Sequence, residues 1–294
     1  IDSEPTAQQY DLLIITPLIF RLNLQRLASH KNRNGIKTKI KTVESIKLQY
    51  LSKGRDDPER IKLAIRDAEQ TLGIKYVLLV GGLKNHFYAN DRENQNYGSK
   101  WWYLPVRFAN MALFGSNGYI SDLYYADLYK GEGEFEDWDS NENGIFCEKN
   151  EEIDLWPDVY YGRLPCRNIF EVRSIVNKII KYERSSHWNE NWFKRMIAVG
   201  GVTFEFLSGP GHEGQEADGE WLCNLSLDHM KDIINDPVRI FASYNSTTGP
   251  RPDYINITGE WSKGAGFVLL TGHGNAFMWD TKWPDENGDL KWVG

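Results

Sequence analysis

Two stretches of this chain place residue types at spacings that could do chemistry. The first is Gly272-His273-Gly274, which directly follows the apolar run Phe267-Val-Leu-Leu270. An imidazole changes charge near neutral pH and serves as a general acid or base. Between glycines at the carboxyl end of a strand buried on both faces, it would stand where open α/β sheets bind ligands. The glycines let the backbone turn sharply and let a substrate approach closely. An ordinary loop or core histidine is the competing reading, and spacing alone does not separate the two.

The second stretch is acidic and runs from Asp137 to Glu148. Counted from Asp139, oxygen-bearing side chains fall at positions 1, 3 and 5 (Asp139, Asn141, Asn143), Gly144 at 6, and the Ile145 carbonyl at 7. This is the opening of an EF-hand-type calcium loop, in which alternate oxygens converge on a hard cation and a glycine makes the bend. Asn150 stands at position 12 in place of a bidentate Glu, so Glu148, Glu151 or Asp137 would have to supply the carboxylate. The alternative is a metal-free loop of Asx turns. We expect structural Ca2+ held by Asp137, Asp139, Asn141, Asn143, Ile145 and Glu148, stiffening a long insertion, and no organic cofactor.

Other chemistries find less support. The first strand is not followed by GxGxxG, and GxxxxGK[ST] is absent from the sequence, which argues against dinucleotide and NTP binding. A formal net charge of -7 with a pI near 5.5 argues against a nucleic-acid partner. No apolar run approaches the roughly 18 residues needed for a membrane-spanning segment. Cys147, Cys166 and Cys223 have no CxxC spacing and are too few for a disulfide framework. The eleven Trp and fifteen Tyr favour wide amphipathic surfaces such as a peptide or glycan groove, or else a well-filled core. The polar start at Ile1 lacks an initiator Met and a signal-peptide pattern, which suggests a processed N-terminus.

The elements that must position these residues follow a βα rhythm. Tyr10–Thr16 reads as a first buried strand, and Phe20, Leu24 and Leu27 as one face of a helix stopped at Gly35. Lys37–Val43 reads as a more exposed strand. Asp56-Asp57-Pro58 starts a helix that ends at Gly73, and Tyr76–Val80 is a further apolar strand. Asn85–Lys100 reads as a surface loop, and Pro105–Arg107 and Tyr119–Ala126 as short extended pieces. After the strand Asp158–Arg163, Asn168 and Glu171 form a capping box for a helix running to Tyr182. Ser185–Glu190 reads as a linker, beyond which come a strand ending at Gly200-Gly201, a loop, a helix over Gly219–Ile234, a strand at Val238–Phe241 and a helix over Tyr254–Ser262. This order predicts an α/β fold of two subdomains with mainly parallel sheets flanked by helices. We place the first at 10–186, with the calcium-loop insertion, and the second at 190–294.

The ordered set Ser121-Asp122, Asp158-Val-Tyr-Tyr-Gly-Arg163, Lys181-Tyr182-Glu183-Arg184, Ile197-Ala-Val-Gly-Gly201 and Thr271-Gly-His-Gly274 resembles the gingipain-type cysteine peptidases, family C25. The resemblance covers most of the chain from about Tyr10. It implies that the second subdomain is caspase-like and that a thiolate attacks the peptide bond of a polypeptide substrate. It further implies that His273 is the catalytic histidine, that the Gly274 N–H helps bind the oxyanion, and that Glu216 selects a basic P1 side chain. An extracellular or cell-surface location goes with it. Two departures stand out. Val202 occupies the position where the family often has an acid to orient the histidine, with Glu205 nearby. None of the three cysteines matches the nucleophile's place, so the chain looks cut short before it, the nucleophile is expected beyond residue 294, and this chain alone is expected to be inactive. A non-catalytic peptide-binding or scaffolding relative of the same fold is the alternative.

Overall fold

The computed structural model describes residues 9–85, 100–111, 118–149, 151–185, 187–204, 206–209, 212–242, 250–274, 277–284 and 290–293. The chain divides into two compact units, Ile1–Arg184 and Ser185–Gly294.

In the first unit, β1 (Leu12–Thr16), β2 (Thr38–Thr42) and β3 (Tyr76–Val80) alternate with α1 (Arg21–Arg33), α2 (Val43–Gln49) and α3 (Asp57–Leu72). Two short antiparallel ladders follow, β4 (Phe108–Ala109) with β5 (Tyr119–Ile120) and β6 (Tyr129–Lys130) with β7 (Glu134–Phe135). Then β8 (Tyr160–Leu164) returns to the main sheet and leads into α4 (Ile169–Arg184). The sheet order is β2-β1-β3-β8, with every pair parallel.

Strand alternation divides the core between the two faces of this sheet. Leu12 and Ile14 of β1 pack with Leu24 and Leu27 of α1 and Val172 and Val176 of α4. Leu13 and Ile15 point the other way, into a cluster with Ile46 of α2 and Ile61 and Ala64 of α3. Complete burial of one such side chain contributes about 1.5–3 kcal/mol. The helix ends follow their sequence signals. Asp56 accepts the Glu59 N–H at 2.9 Å, and Gly73 closes α3 in the left-handed region at φ 68°. Asn168 accepts the Glu171 N–H at 2.9 Å, but the Glu171 carboxylate reaches the Arg167 N–H at 2.7 Å, one residue before the expected box.

Two expectations for this unit need correction. Only Tyr119–Ile120 of the stretch to Ala126 is strand, and Asp122–Tyr125 forms a 3-10 turn. The turn sends the neighbouring rings of Tyr124 and Tyr125 both into the core, which an alternating strand cannot do. Pro105–Arg107 precedes the ladder, which begins at Phe108. The loop expected at Asn85–Lys100 lies, apart from its two ends, outside the described residues.

The second unit opens with 3-10 turns at His187–Asn189 and Asn191–Lys194, where the sequence reads as a plain linker. Its elements are β9 (Arg195–Gly200), β10 (Phe206–Gly209), β11 (His212–Ala217), α5 (Asp218–Met230), β12 (Asp236–Phe241), α6 (Tyr254–Trp261), β13 (Phe267–Leu270), β14 (His273–Gly274), β15 (Trp279–Pro284) and β16 (Leu290–Val293). A parallel sheet β12-β9-β13 has the fully buried β9 at its centre. Cys223 and Leu227 of α5 pack on Met196 and Ala198, and Ile257 of α6 joins the cluster of Ile197 and Val199 on the opposite face. The antiparallel β14-β15-β16 and the hairpin β10–β11 complete the unit.

One correction concerns the strand that carries the histidine. β13 is not buried on both faces: Phe267 is 45% exposed and the next three residues are half-buried. Among the described residues β13 is the edge of its sheet, so one flank has no neighbour to cover it.

Candidate active site

The register Leu270↔Val199 sets the carboxyl ends of β13 and β9 side by side. Two backbone segments leave the sheet there, Gly201–Phe204 and Thr271–Gly274. Thr271 anchors the second: its N–H donates to the Val199 carbonyl at 2.9 Å, and its hydroxyl lies 3.1 Å from Val199 O and 3.0 Å from Gly219 O. At Gly272 the chain passes so close to β15 that a Cβ would sit 2.4 Å from the Asp280 carbonyl oxygen. Only glycine fits that approach. His273 then begins β14 opposite Asp280.

The imidazole is half-buried and held by the backbone. Its Nε2 lies 2.7 Å from the Thr203 carbonyl oxygen. A carbonyl only accepts, so Nε2 carries the proton and Nδ1 is the basic nitrogen. Nδ1 has no hydrogen-bond partner among the described residues. The rings of Phe204 and Trp292 meet the imidazole edge-on at centroid distances of 5.4 and 5.1 Å. A ring fixed in tautomer and direction, with a basic nitrogen that no described residue engages, is equipped for proton transfer.

Val202 is fully buried, and its N–H donates to the Lys282 carbonyl at 3.0 Å. It packs and does not orient the ring. The orienting group is the neighbouring Thr203 carbonyl, which sequence reading missed because a backbone oxygen has no residue-type signature. Glu205 lies outside the described residues. Glu216 falls on β11 opposite Leu207, in a hairpin where only a loop is legible from sequence; its side chain lies outside those described. Gly274 pairs with Trp279 across the β14–β15 ladder.

All three cysteines are buried. Burial pushes the Cys147 and Cys223 thiols up to about 11 and raises that of Cys166. Reactive thiols need the opposite shift, toward an exposed thiolate. Cys223 comes within 3.6 Å of the Thr271 hydroxyl, as a packing group beneath the sheet's carboxyl end.

The acidic loop belongs to the first unit. Asp139 is buried, and its carboxylate accepts the Gly144 N–H at 3.3 and 3.2 Å, closing the loop across five residues. Gly144 adopts φ 78°. Asn141 and Asn143 each accept the N–H two residues on, and both amides donate to Glu148 Oε2, at 3.1 and 2.6 Å. Those two donors, Asn141 first, hold the Glu148 carboxyl below the usual carboxylate range. Asp137 and Asp139 share one cation, the Arg55 guanidinium, at 3.0 and 2.6 Å. Among the described residues no group of three or more His, Cys, Asp or Glu side chains converges as a metal cage. A calcium site would therefore need the amide and carbonyl oxygens as well, and Asn150 lies outside the described residues.

Beneath this loop the core is charged. Lys62 is fully buried against the rings of Tyr124, Phe135 and Trp138, and its Nζ lacks a hydrogen-bond partner among the described residues. Burial drives its ammonium down to about 7, against the opposing pull of Asp127 and Glu136. Asp127 is pushed up to about 6 by burial, although Trp138 Nε1 donates to it at 2.7 Å. Arg107 makes a two-pronged contact with Asp56 at 2.6 and 2.9 Å and stacks 3.5 Å above the Phe146 ring. Asp122 and Arg163, both in the resembling segments, also meet in two bonds of 2.6 and 2.7 Å. Arg163 further donates to the Gly81, Leu104 and Pro105 carbonyls, so this pair ties β8 to the segment before β4.

The profile of peptidase family C25 matches residues 5–292, nearly the whole chain. The chain belongs to peptidase family C25. Gingipain R2 of Porphyromonas gingivalis (strain ATCC BAA-308 / W83) is 19% identical over 277 residues, which are 92% of this chain and 28% of that protein. Among solved structures, the Arg-specific cysteine proteinase gingipain R (RgpB) superposes with a TM-score of 0.57 at 17% identity, over 94% of this chain and 49% of that one. The complex of the Porphyromonas gingivalis RgpB pro- and mature domains gives 0.56 at 18%, over 92% and 49%. This C25 chain thus spans about half the length of those solved relatives and under a third of the curated one. Its α/β architecture of parallel sheets flanked by helices agrees with the caspase-like C25 fold. Among its described residues no helix is long and apolar enough to cross a membrane.

Proposed function

We propose that this C25 chain is the histidine-bearing part of a cysteine endopeptidase. The observation that carries the reading is His273, held through Nε2 at the carboxyl ends of two parallel strands, with Nδ1 unengaged among the described residues. Nδ1 would take the proton from a cysteine thiol, and the thiolate would attack the scissile carbonyl carbon. The imidazolium would return that proton to the leaving amine, and water would then hydrolyse the thioester. The Gly274 N–H is the proposed oxyanion donor. Since all three cysteines are buried with raised thiols, the nucleophile is proposed to lie beyond residue 294 in the complete protein.

Glu216 is the proposed selector of a basic P1 side chain, in keeping with the arginine specificity stated for gingipain R. An extracellular or cell-surface site of action is proposed with the family. The test is hydrolysis of Arg, Lys and neutral P1 peptides by the complete natural protein. His273→Ala is expected to lower kcat/KM by about 10³-fold or more. Undiminished cleavage by that variant overturns the reading. The inert thiols and Val202 favour a second reading, a non-catalytic peptide-binding relative, for which the complete protein would bind peptides without turnover.

We also propose Ca2+ in the acidic loop. The bend in which Asp139 accepts the Gly144 N–H, with Asn141, Asn143 and Glu148 gathered in the same short loop, supports it. The two amide NH2 groups that now donate to Glu148 would have to turn their oxygens to the cation. Arg55 would then have to yield part of its hold on Asp137 and Asp139. Calcium at about 100 times its Kd is expected to stabilise the fold by about 2.7 kcal/mol. Identical melting curves in millimolar calcium and in chelator count against the site.

A further inference from the structure

Asp218 opens α5, yet its carboxylate does not cap that helix. A capping aspartate bonds N–H groups two or three residues further on. Asp218 Oδ1 instead accepts the Thr203 N–H at 2.7 Å and the Gly219 N–H at 2.9 Å, and Oδ2 accepts the Phe204 N–H at 2.9 Å. Two of these three donors lie in the loop that holds the histidine.

The geometry has a specific consequence for His273. The N–H of Phe204 and the C=O of Thr203 belong to one planar trans peptide group and point in opposite directions from it. Asp218 takes the N–H side, while the imidazole Nε2–H donates to the C=O side at 2.7 Å. A carboxylate accepting from an amide N–H makes a charge-assisted bond and polarises the group, so its carbonyl becomes a stronger acceptor. The chain leading into this plane is also held, at the Gly201–Val202 peptide. The Val202 N–H is tied to Lys282 O, and a Cβ on Gly219 would lie only 2.6 Å from Gly201 O.

We infer that Asp218 is a positioning residue for His273, acting on the imidazole through the Thr203–Phe204 peptide. The carboxylate that Val202 cannot supply by direct contact is present one peptide group away. The inference rests on the reading of His273 as the acid–base group, but its structural half is measurable without turnover.

The experiment has two arms. In the unsubstituted protein, NMR couplings across hydrogen bonds are expected between Phe204 N and Asp218 Cγ and between His273 Nε2 and the Thr203 carbonyl carbon. The absence of either overturns the inference, even if no variant folds. In the complete natural protein, Asp218→Asn keeps the shape but presents an amide to the loop. It is expected to shift His273 away from a single Nε2–H tautomer in ¹⁵N spectra and to lower kcat about 10- to 100-fold with KM little changed. Val202→Ala, which thins the packing of the same loop, is expected to lower the melting temperature and leave the tautomer alone. An unchanged tautomer and kcat in Asp218→Asn overturns the inference, as does an equal tautomer shift in Val202→Ala. If His273→Ala retains full activity, the peptidase reading fails instead, and the coupling measurement still decides what Asp218 does.

Discussion

The acidic loop of the first unit and the histidine site of the second solve the same problem, fixing polar groups in place, by opposite means. Around the loop the work is done by side chains. Arg55 spans two aspartates, Arg107 clamps Asp56, and Lys62 lies buried among aromatic rings. Around His273 it is done mostly by backbone: a carbonyl holds the ring, a single carboxylate, Asp218, gathers the N–H groups of the carbonyl's loop, and glycines let the segments meet. The buried members of such a cluster, Asp139 and Arg107, tolerate displacement poorly because a lost partner leaves their charge stranded in low dielectric. A backbone-held ring depends on the few ångströms separating chain segments. The first arrangement ties its polar groups to one another, and the second leaves His273 Nδ1 without a hydrogen bond among the described residues.

The sharpest way to break that comparison is Arg107→Ala. It removes the two contacts to Asp56, a hydrogen bond to Tyr124 and the stacking on Phe146. The expected loss is about 2–3 kcal/mol in denaturant unfolding, from the lost packing and hydrogen bonds of a buried side chain, since Asp56, 38% exposed, can turn to water. A loss below about 1 kcal/mol would mean that this charged cluster is not what secures the unit.

Gly272→Ala probes the other side. Its Cβ would press on the Asp280 carbonyl and on the Trp279 indole nitrogen, at 2.4 and 2.9 Å. About 1–3 kcal/mol of destabilisation is expected from the overpacking. The His273 Nε2–Thr203 coupling should weaken with it, and a variant as stable as the parent with that coupling intact would contradict the close approach.

The smallest effect is a pH dependence. The folded-state pKa of Lys62 lies near 7, below its unfolded value of about 10.4. Above pH 7 the unfolded chain therefore binds the extra proton, and stability rises with pH. The clean window is pH 7 to 8, because unfolded thiols titrate at about 8.5 and from there the raised Cys147 and Cys223 thiols act in the opposite sense. A gain of about 1 kcal/mol is expected across that window, and Lys62→Met should flatten it. An equal slope in that variant would place the dependence elsewhere.

Much of the fold was legible because its signals are local. The apolar runs of β1, β3 and β9, the Asp56 cap and the Gly73 stop each declare themselves within a few residues. The placement of His273 just past a strand end was legible for the same reason, from the apolar run and the glycines that flank it. What was not legible depends on partners distant in sequence or lacking a side-chain signature. Arg55 meets Asp139 across 84 residues, and nothing near Arg55 announces it. The hairpin β10–β11 hides in a polar run whose side chains do not alternate between apolar and polar. Thr203 orients the histidine through an atom that every residue possesses.

The close approaches at Gly201, Gly219 and Gly272 bear on how such a site can be surveyed. Alanine scanning works by deletion: it removes a side chain and reads the loss. Here the critical contacts run between main chains, with Cβ positions at Gly201 and Gly219 falling 2.7 Å from Lys282 O and 2.6 Å from Gly201 O. Deletion has nothing to remove at these points. A survey by addition, one methyl group at a time, would trace the outline of the site that deletion leaves blank.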